Sequence, residues 1–398
     1  MLFRFTSLLL SIALCSLMPV QGKPQVSTPI VIALDADMSA VAVDGGVAIA
    51  RGAKLAIDEI NEAGGILGQP LELVTFDHRG NPARGISNIK QIAAMKGVLA
   101  VLGGVHTPVA LAELDAIHGA DLIYVSPWAA GTSVVENDLE PNNVFRVSIS
   151  DEEASKVLIQ YARNRSLTKI ALVLERTGWG RSNLESLTRE AQAQNVEITT
   201  VHWINWRQAD FGSELEVMLE SGAQGLVLVA NSPEAVTVSQ AVLASDRSSL
   251  PVISHWGLAS GDYVSSLGLE NVSRMDVSVI QTFSFLKQNH ARAKALLQRY
   301  FTRYGPDKPQ AIPAAAGLAH SYDCIHLLAL AAEKAGGINA AKIRQSLENL
   351  PPFTGAVKTY APAFSDKARD ALMAKDFFMT TFDSNGHLVP IANSASHL

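Results

Sequence analysis

Cysteine, aromatic residues and charge are all scarce in this chain of 398 residues. Its two cysteines exclude a disulfide-based scaffold and a zinc site made of several thiolates. Charged residues make up 18% of the sequence, below the usual share of about 25%, so long solvated or disordered tracts are not expected. The 32 Lys and Arg residues are outnumbered by 38 Asp and Glu residues. Without a basic surplus, no nucleic acid partner is expected.

The motifs of common enzyme classes are also missing. A dinucleotide-binding loop fails at Asn183, which stands where the third glycine is needed, and no Lys-Ser or Lys-Thr follows Gly80 and Gly85, which have P-loop spacing. No nucleophile elbow, H-E-x-x-H or C-x-x-C motif occurs. The ten histidines are scattered rather than spaced as metal ligands. We therefore expect a binding protein rather than an enzyme, with no cofactor and no metal.

A long apolar run occurs only at the N-terminus. Residues 1–22 combine Arg4, an apolar core over residues 8–18 and a cleavage-type end at Gly22, which is the order of a signal peptide. The run is shorter than the roughly 20 apolar residues of a spanning helix, although a short membrane anchor is an alternative. Attachment as a lipoprotein through Cys15 is disfavoured because Leu14 stands where a small residue is wanted. We predict export to the periplasm.

The rest of the chain alternates short aliphatic runs with amphipathic stretches. Apolar runs at residues 30–34, 71–76, 98–102 and 122–125 predict strands of a parallel sheet covered on both faces. Helical periodicity lies between them, at residues 46–63, 82–95 and 108–118. The same alternation restarts at Asp151, with strands predicted at residues 170–174, 198–203, 226–230, 252–254 and 277–282. Helices are predicted between these strands at residues 151–165, 181–194, 211–219 and 234–245. The pattern predicts an α/β protein with two doubly wound units.

Further helices at residues 291–304, 314–334 and 339–349, and a strand at residues 377–382, follow the second unit. Several segments have a recognisable order and spacing: residues 52–73, Asp77, and residues 82–83, 103–107, 126–130, 320–337, 353–355 and 382–386. The first combines a helix, Asn61, the turn Gly64-Gly65-Ile66 and a strand. Together the segments resemble the leucine/isoleucine/valine-binding protein family, the type I periplasmic solute-binding proteins of ABC transporters, from about Pro29 to Val389.

The resemblance implies two Rossmann-like lobes joined by three crossovers, with a ligand held in the cleft between them. Lobe 1 would comprise residues 27–147 and 283–358, and lobe 2 would comprise residues 148–282 and 359–398. The two lobes would close on the ligand by a hinge motion. The implied partners are a small-molecule ligand and a membrane ABC permease, and we expect a monomer.

In lobe 1, the loops after the strands are the candidate ligand contacts, because ligands of open α/β sheets bind at the carboxyl ends of strands. His106 and Thr107 follow one strand, and Thr107 is a candidate N-cap before Pro108. The N–H groups and the dipole of that helix suit a carboxylate, and an ordinary N-cap is the alternative. The resemblance implies a ligand-binding Ser or Thr at this position.

The next loop contains further candidates: Ser126, Trp128, Ala129 and Ala130. The resemblance implies that backbone and hydroxyl groups of this stretch hold the ligand. Trp128 replaces the small residue that is usual in the family. It could fill the pocket, stack on a ligand or belong to the core.

In lobe 2, the candidates after the strands are Trp179, Asn231, His255 and Trp256. The resemblance implies an aromatic residue near Trp179 that faces the cleft. Amino-acid binders of the family place a Glu in the loop that contains Trp256, and this chain has no carboxylate there before Asp262. Trp128, Trp179 and Trp256 could instead define an aromatic pocket.

The loop after the first strand is acidic, with Asp35, Asp37 and Asp44. We predict that it supplies the partner of a ligand amine, with Asp37 favoured, and a solvated loop is the alternative. The sequence as a whole predicts a solute-binding protein that delivers an amino acid of the branched-chain type, or a related carboxylate, to an ABC importer. A sensor of the same fold, which binds an amide or an aromatic acid for a signalling partner, is the second hypothesis.

Overall fold

A computed structural model describes residues 28–305 and 308–392. The predicted signal peptide and Cys15 lie outside the described residues. Residues 30–146 form a parallel sheet of five strands in the order β2-β1-β3-β4-β5. The strands are β1 (Ile30–Ala36), β2 (Leu71–Asp77), β3 (Val98–Leu102), β4 (Tyr124–Ser126) and β5 (Val144–Arg146). The helices between them are α1 (Val43–Glu62), α2 (Pro82–Ala93), α3 (Thr107–Gly119) and α4 (Thr132–Val135).

A second sheet has seven strands in the order β14-β13-β10-β9-β8-β6-β7, and β13 alone runs opposite to the other strands of this sheet. Its strands are β6 (Lys169–Glu175), β7 (Glu197–Ile204), β8 (Gly225–Val229), β9 (Val252–Ser254), β10 (Val277–Gln281), β13 (Phe378–Phe382) and β14 (Leu388–Pro390). Its helices are α5 (Asp151–Asn164), α6 (Gly178–Ala193), α7 (Gly212–Glu220), α8 (Ser232–Ala244), α9 (Tyr263–Leu267) and α10 (Leu269–Arg274). The two sheets are the centres of two lobes.

The chain passes between the lobes three times. It crosses after β5 and again after β10, and then adds α11 (Ala291–Tyr304), α12 (Ala315–Ala335) and α13 (Ala340–Leu347) to the first lobe. The hairpin β11 (Phe353–Thr354) and β12 (Thr359–Tyr360) precedes the third crossing to β13. The predicted fold class, two doubly wound lobes joined by three crossovers, is confirmed. The residue boundaries of the lobes remain a prediction.

Alternate residues of the central strands pack against helices on opposite faces of each sheet. Ile32 and Leu34 of β1 lie in the core beneath α1 and α12, whereas Ala33 between them packs against α2 and α3. In the second lobe, Leu172 and Val173 of β6 divide in the same way between two cores. Helices on both faces leave the loops at the carboxyl ends of the strands free to form a site.

Helices α1 and α12 approach each other closely through glycine. A Cβ atom on Gly52 would lie 2.0 Å from the carbonyl oxygen of Leu318, so only glycine allows this contact. No helix among the described residues is long and apolar enough to cross a membrane.

Two expectations about elements need correction. Strand β2 was expected to be covered on both faces, but it is the edge of its sheet, and only Leu71 within it is buried. Helix α6 begins at Gly178 rather than at residue 181, because Thr177 caps it by accepting a hydrogen bond from the backbone N–H of Trp179.

Candidate functional site

A closed cavity lies between the two lobes, where loops from the carboxyl ends of β3 and β4 meet those of β6, β8 and β9. Its volume is about 10 Å³, which is room for one water molecule at most. The lining residues from both lobes are Val105, His106, Thr107, Pro108, Trp128, Ala130, Glu175, Trp179, Asn231, Trp256 and Gly257. The structure therefore shows the lobes closed on each other with the space between them filled by side chains.

Seven residues proposed from the sequence line this cavity: His106, Thr107, Trp128, Ala130, Trp179, Asn231 and Trp256. Six others do not: Ser126, Ala129, His255, Asp35, Asp37 and Asp44. Ser126 is buried at the end of β4, and its hydroxyl has no hydrogen-bond partner in the described part of the chain. The loops of both lobes thus converge as the fold predicts.

Thr107 is the first residue of α3, so the expectation that it is the N-cap is wrong. The residue before the helix is His106, and the Thr107 hydroxyl accepts a hydrogen bond from the backbone N–H of Gly131 at 3.0 Å. This bond joins the loops that follow β3 and β4. The hydroxyl proton is not used in it, so Thr107 can still donate to a ligand at the partially positive end of α3.

Arg146 fixes the backbone of the loop after β4. Its Nη1 donates to the carbonyl oxygens of Ala129 at 3.2 Å and Gly131 at 2.8 Å, and its guanidinium forms an ion pair with Asp370. The carbonyl of Ala129 is therefore committed to Arg146. Ala130, which stands between Ala129 and Gly131 in the sequence, lines the cavity.

Trp128 and Trp256 meet across the cleft from opposite lobes. Their ring centroids are 4.5 Å apart, and the ring planes differ by 26°. Small residues of α1 and α12 make the space for Trp128, because a Cβ on Gly317 would lie 2.8 Å from its ring and one on Gly45 would lie 3.6 Å away. Of the roles left open for Trp128, the structure shows it filling the cleft and stacking on a second indole.

Asp151 is a functional candidate that the sequence interpretation took only as the start of a helix. It is fully buried, and its Oδ1 accepts a hydrogen bond from Nε1 of the cavity-lining Trp179 at 3.0 Å. Nε2 of His255 lies 3.3 Å from the same oxygen, so His255 supports the site from behind. Oδ2 of Asp151 has no hydrogen-bond partner among the described residues. A buried carboxylate oxygen without a partner is costly. Asp151 lies behind the cavity-lining Trp179 and does not itself line the cavity, so a ligand donor could reach this oxygen only in a more open form.

Glu175 is a second carboxylate that sequence reasoning missed. It ends β6 and lines the cavity, with 1% of its surface exposed. Its Oε2 accepts a hydrogen bond from Nδ2 of Asn231 at 2.8 Å, and burial raises the pKa of its carboxyl group. In the sequence, Glu175 directly follows a predicted strand, and this position is the feature that could have identified it as a site residue.

Asp37 is buried, so the alternative of a solvated loop is wrong for it. Its Oδ1 accepts from the backbone N–H of Ala40, and its Oδ2 accepts from those of Val41 and Ala42. Nε2 of His106 lies 2.9 Å from Oδ2. Burial opposes ionisation, but the hydrogen bonds from His106 and the loop prevail and lower the pKa of Asp37. Asp37 thus anchors its own loop and orients His106.

Asp35 and Asp44 also lie outside the cavity. Asp35 is buried and accepts a hydrogen bond from Nδ2 of Asn88 at 2.8 Å, and burial raises its pKa to about 7. Its carboxyl group interacts electrostatically with that of Glu113, and burial also raises the pKa of Glu113. The solvated-loop alternative is therefore wrong for Asp35 as well. Asp44 is half-buried in the first turn of α1, where it lines a different cavity.

The sequence comparisons agree with this architecture. The family model described as "Periplasmic binding protein" matches residues 29–387. The chain belongs to the periplasmic binding proteins, in the leucine/isoleucine/valine-binding family. A curated relative, Leu/Ile/Val-binding protein homolog 3 of Brucella melitensis, is 25% identical over 318 residues, which cover 79% of this chain and 82% of the relative.

Two solved periplasmic binding proteins show the same fold. The branched-chain amino acid transporter substrate-binding protein LivJ of Streptococcus pneumoniae, in complex with isoleucine, is 22% identical with a TM-score of 0.77. The alignment covers 92% of this chain and 100% of LivJ. A solute-binding protein of an ABC transporter from R. palustris, in complex with 4-hydroxybenzoate, is 15% identical with a TM-score of 0.77, over 92% of this chain and 96% of that protein. A family of substrate-binding proteins is consistent with the expectation of a protein that is not an enzyme.

Proposed function

We propose that the protein is an extracytoplasmic solute-binding protein of an ABC importer, which captures a small carboxylate between its lobes. The observation that carries the proposal is the convergence of Thr107 and Ala130 from one lobe with Trp179 and Asn231 from the other at one cavity. A ligand held there would join the lobes and favour the closed form that a permease can recognise. The family of the chain supports this role.

We assign the carboxylate of the ligand to the start of α3. The Thr107 hydroxyl and the helix dipole favour a negative group there, and Ala130 lines the same space. An amino acid also carries an ammonium group, which needs a partner once it leaves water. We propose Asp151 for this role in place of Asp37, because Asp151 keeps an unpartnered oxygen whereas both oxygens of Asp37 are occupied.

The three cavity-lining tryptophans support an aromatic ligand as a second candidate. Trp128, Trp179 and Trp256 offer ring faces from both lobes, and aromatic rings stack on such surfaces. The solved relative with 4-hydroxybenzoate binds a ligand of this class. A signalling partner could then take the place of the permease. Transport into vesicles that contain the cognate permease would distinguish delivery from sensing.

A thermal-shift screen of ligand-stripped protein tests the function, because a ligand that binds only the folded state raises the melting temperature. We expect a rise with leucine, isoleucine or valine, or with 4-hydroxybenzoate. No rise with any amino acid or aromatic acid would contradict the proposal.

The role of Thr107 is tested by two substitutions. Thr107→Ala should weaken binding of the identified carboxylate by about 1–2 kcal/mol, because a hydrogen bond to a charged group is lost. Thr107→Ser keeps the hydroxyl and should bind nearly as the wild type does. Isothermal titration calorimetry measures both, and wild-type affinity in Thr107→Ala would limit Thr107 to joining its two loops.

A further inference from the structure

A second cavity between the lobes is much larger than the first and shares Trp128 with it. Its volume is about 550 Å³, within the range of about 300–1,000 Å³ that is typical of small-molecule sites. The first turn of α1 and the loop before α12 line it from one lobe. Helix α9, β13 and the turn before β14 line it from the other, and the crossover after β10 forms its floor.

Two aromatic pairs form the walls of this cavity. Phe283 and Phe285 of the crossover meet edge to face, with ring centroids 4.7 Å apart. Tyr263 and Phe382 of the second lobe stack at 5.6 Å. Planar rings at these positions suit a ligand with an aromatic body, and their faces also attract cations.

The charged lining residues include two acids, Asp44 and Asp262, and no lysine or arginine among the residues described. Asp44 is half-buried and forms no hydrogen bond or ion pair in the described structure. Burial and the charge of Asp262 raise the pKa of Asp44. Arg51, the cation that acts on it, donates to the hydroxyl of Tyr300 and lies outside the cavity lining. Among the described residues neither acid forms an ion pair, and His387, which also lines the cavity, pairs with Asp383 instead.

Gln281 provides an independent sign of a ligand. It lines the cavity from the end of β10 with only 8% of its surface exposed. No hydrogen bond to its side-chain amide occurs among the described residues. The amide faces the cavity, where a bound molecule or water can form hydrogen bonds with it. The cavity thus combines a polar anchor, aromatic walls and uncompensated acid.

We propose that this cavity is a second ligand site, which takes a small organic cation with an aromatic body. The ammonium group faces Asp44 and Asp262, and the ring lies between the two aromatic pairs. The site goes beyond the carboxylate site described above. Because Trp128 belongs to both cavities, occupation of one site changes the affinity of the other, and the coupling is reciprocal.

Protonated 2-phenylethylamine is the probe, and 2-phenylethanol is its neutral counterpart of the same shape. By isothermal titration calorimetry, the amine should bind wild-type protein at least about tenfold more tightly than the alcohol, because a charged hydrogen bond to Asp44 favours it. Asp44→Asn should remove most of this preference. Phe285→Ala should weaken both probes, because it removes part of the wall.

The matched control is Asp246→Asn, which neutralises an exposed acid that lines neither cavity. It should bind both probes as the wild type does. Circular dichroism verifies that each variant is folded. Absence of amine binding to wild type, or an equal preference for the amine in wild type and Asp44→Asn, would overturn the proposal.

Discussion

At the residue scale, the site depends on which carboxylates have free oxygens. Sequence reasoning correctly brought Thr107, Trp179 and Trp256 to one place, because the carboxyl ends of parallel strands share an edge. It favoured Asp37, because an acidic loop beside a cleft is a natural partner for an amine. The sequence could not show that this carboxylate accepts hydrogen bonds from the N–H groups of its own loop.

The same change, from Asp to Asn, at positions 151 and 37 compares the roles of Asp151 and Asp37. Asp151→Asn should weaken an amino-acid ligand such as leucine by a few kcal/mol, because a desolvated ammonium loses its counter-charge. The same variant should largely spare 4-methylpentanoate, which is leucine without its amine. Asp37→Asn should affect both ligands alike, because it loosens the loop and His106. Calorimetry of both ligands on both variants measures this.

The pattern of losses decides between interpretations. An equal loss for both ligands in Asp151→Asn would mean that Asp151 only positions Trp179 and His255. Selective loss of leucine in Asp37→Asn would restore Asp37 as the amine partner.

At the element scale, most helices and strands were predicted from their pattern, and several of the shortest were missed. Strand β3 and helix α11 have the bounds that periodicity predicted, because each shows a clear pattern along its whole length. Strand β5, helix α4 and strand β14 have three or four residues each and were missed. A segment of three or four residues is too short to show a hydrophobic period, and its structure depends on the neighbouring strands. The return of α12 to the first lobe followed from the family resemblance and not from local pattern.

The buried carboxyl groups of Asp35 and Glu113 connect strand β1 with helices α2 and α3. Asp35 of β1 accepts a hydrogen bond from Asn88 of α2, and its carboxyl group interacts electrostatically with that of Glu113 of α3. The pKa of Asp35 is about 7 in the folded protein, above its ordinary value of 3.8. Between these two values the unfolded state has lost the proton and the folded state has kept it. The contribution of Asp35 to stability therefore falls as the pH rises from about 4 to 7.

Replacing Asp35 by Asn removes this titration. We expect the free energy of unfolding of Asp35→Asn, relative to wild type, to rise between pH 5 and pH 8, by an amount on the order of 1 kcal/mol or more. Urea unfolding at several pH values measures the difference. An exposed acid, changed in Asp115→Asn on α3, serves as the control. A difference that is constant with pH, or that falls, would contradict the raised pKa of Asp35 in the folded protein.

At the scale of the whole molecule, the structure is a closed form whose carboxylate cavity of about 10 Å³ is too small for an amino acid. Trp206 of the second lobe adds to this closure from the cleft edge. Its ring centroid lies 5.9 Å from that of His106 in the first lobe, and 38% of its surface is exposed. A ligand must therefore enter through a more open form, and we expect the three crossovers to bend as hinges when the lobes separate.

Small-angle scattering tests this motion. Saturating ligand should lower the radius of gyration, because a ligand that contacts both lobes shifts the population towards closure. Trp206→Ala should raise the radius of gyration of the ligand-free protein and weaken binding by about 0.5–1.5 kcal/mol, since an aromatic contact between the lobes is lost. Val217→Ala, which trims another exposed apolar residue, is the control. An unchanged radius at saturation would count against hinge closure.

The stacked pair of Trp128 and Trp256 has an optical consequence. Two indoles whose centroids are 4.5 Å apart couple their electronic transitions, and the coupled pair absorbs left and right circularly polarised light unequally. Because the two rings belong to different lobes, this coupling exists only while the lobes are together. The protein thus carries a built-in spectroscopic reporter, and opening of the cleft can be followed in solution without attaching a dye.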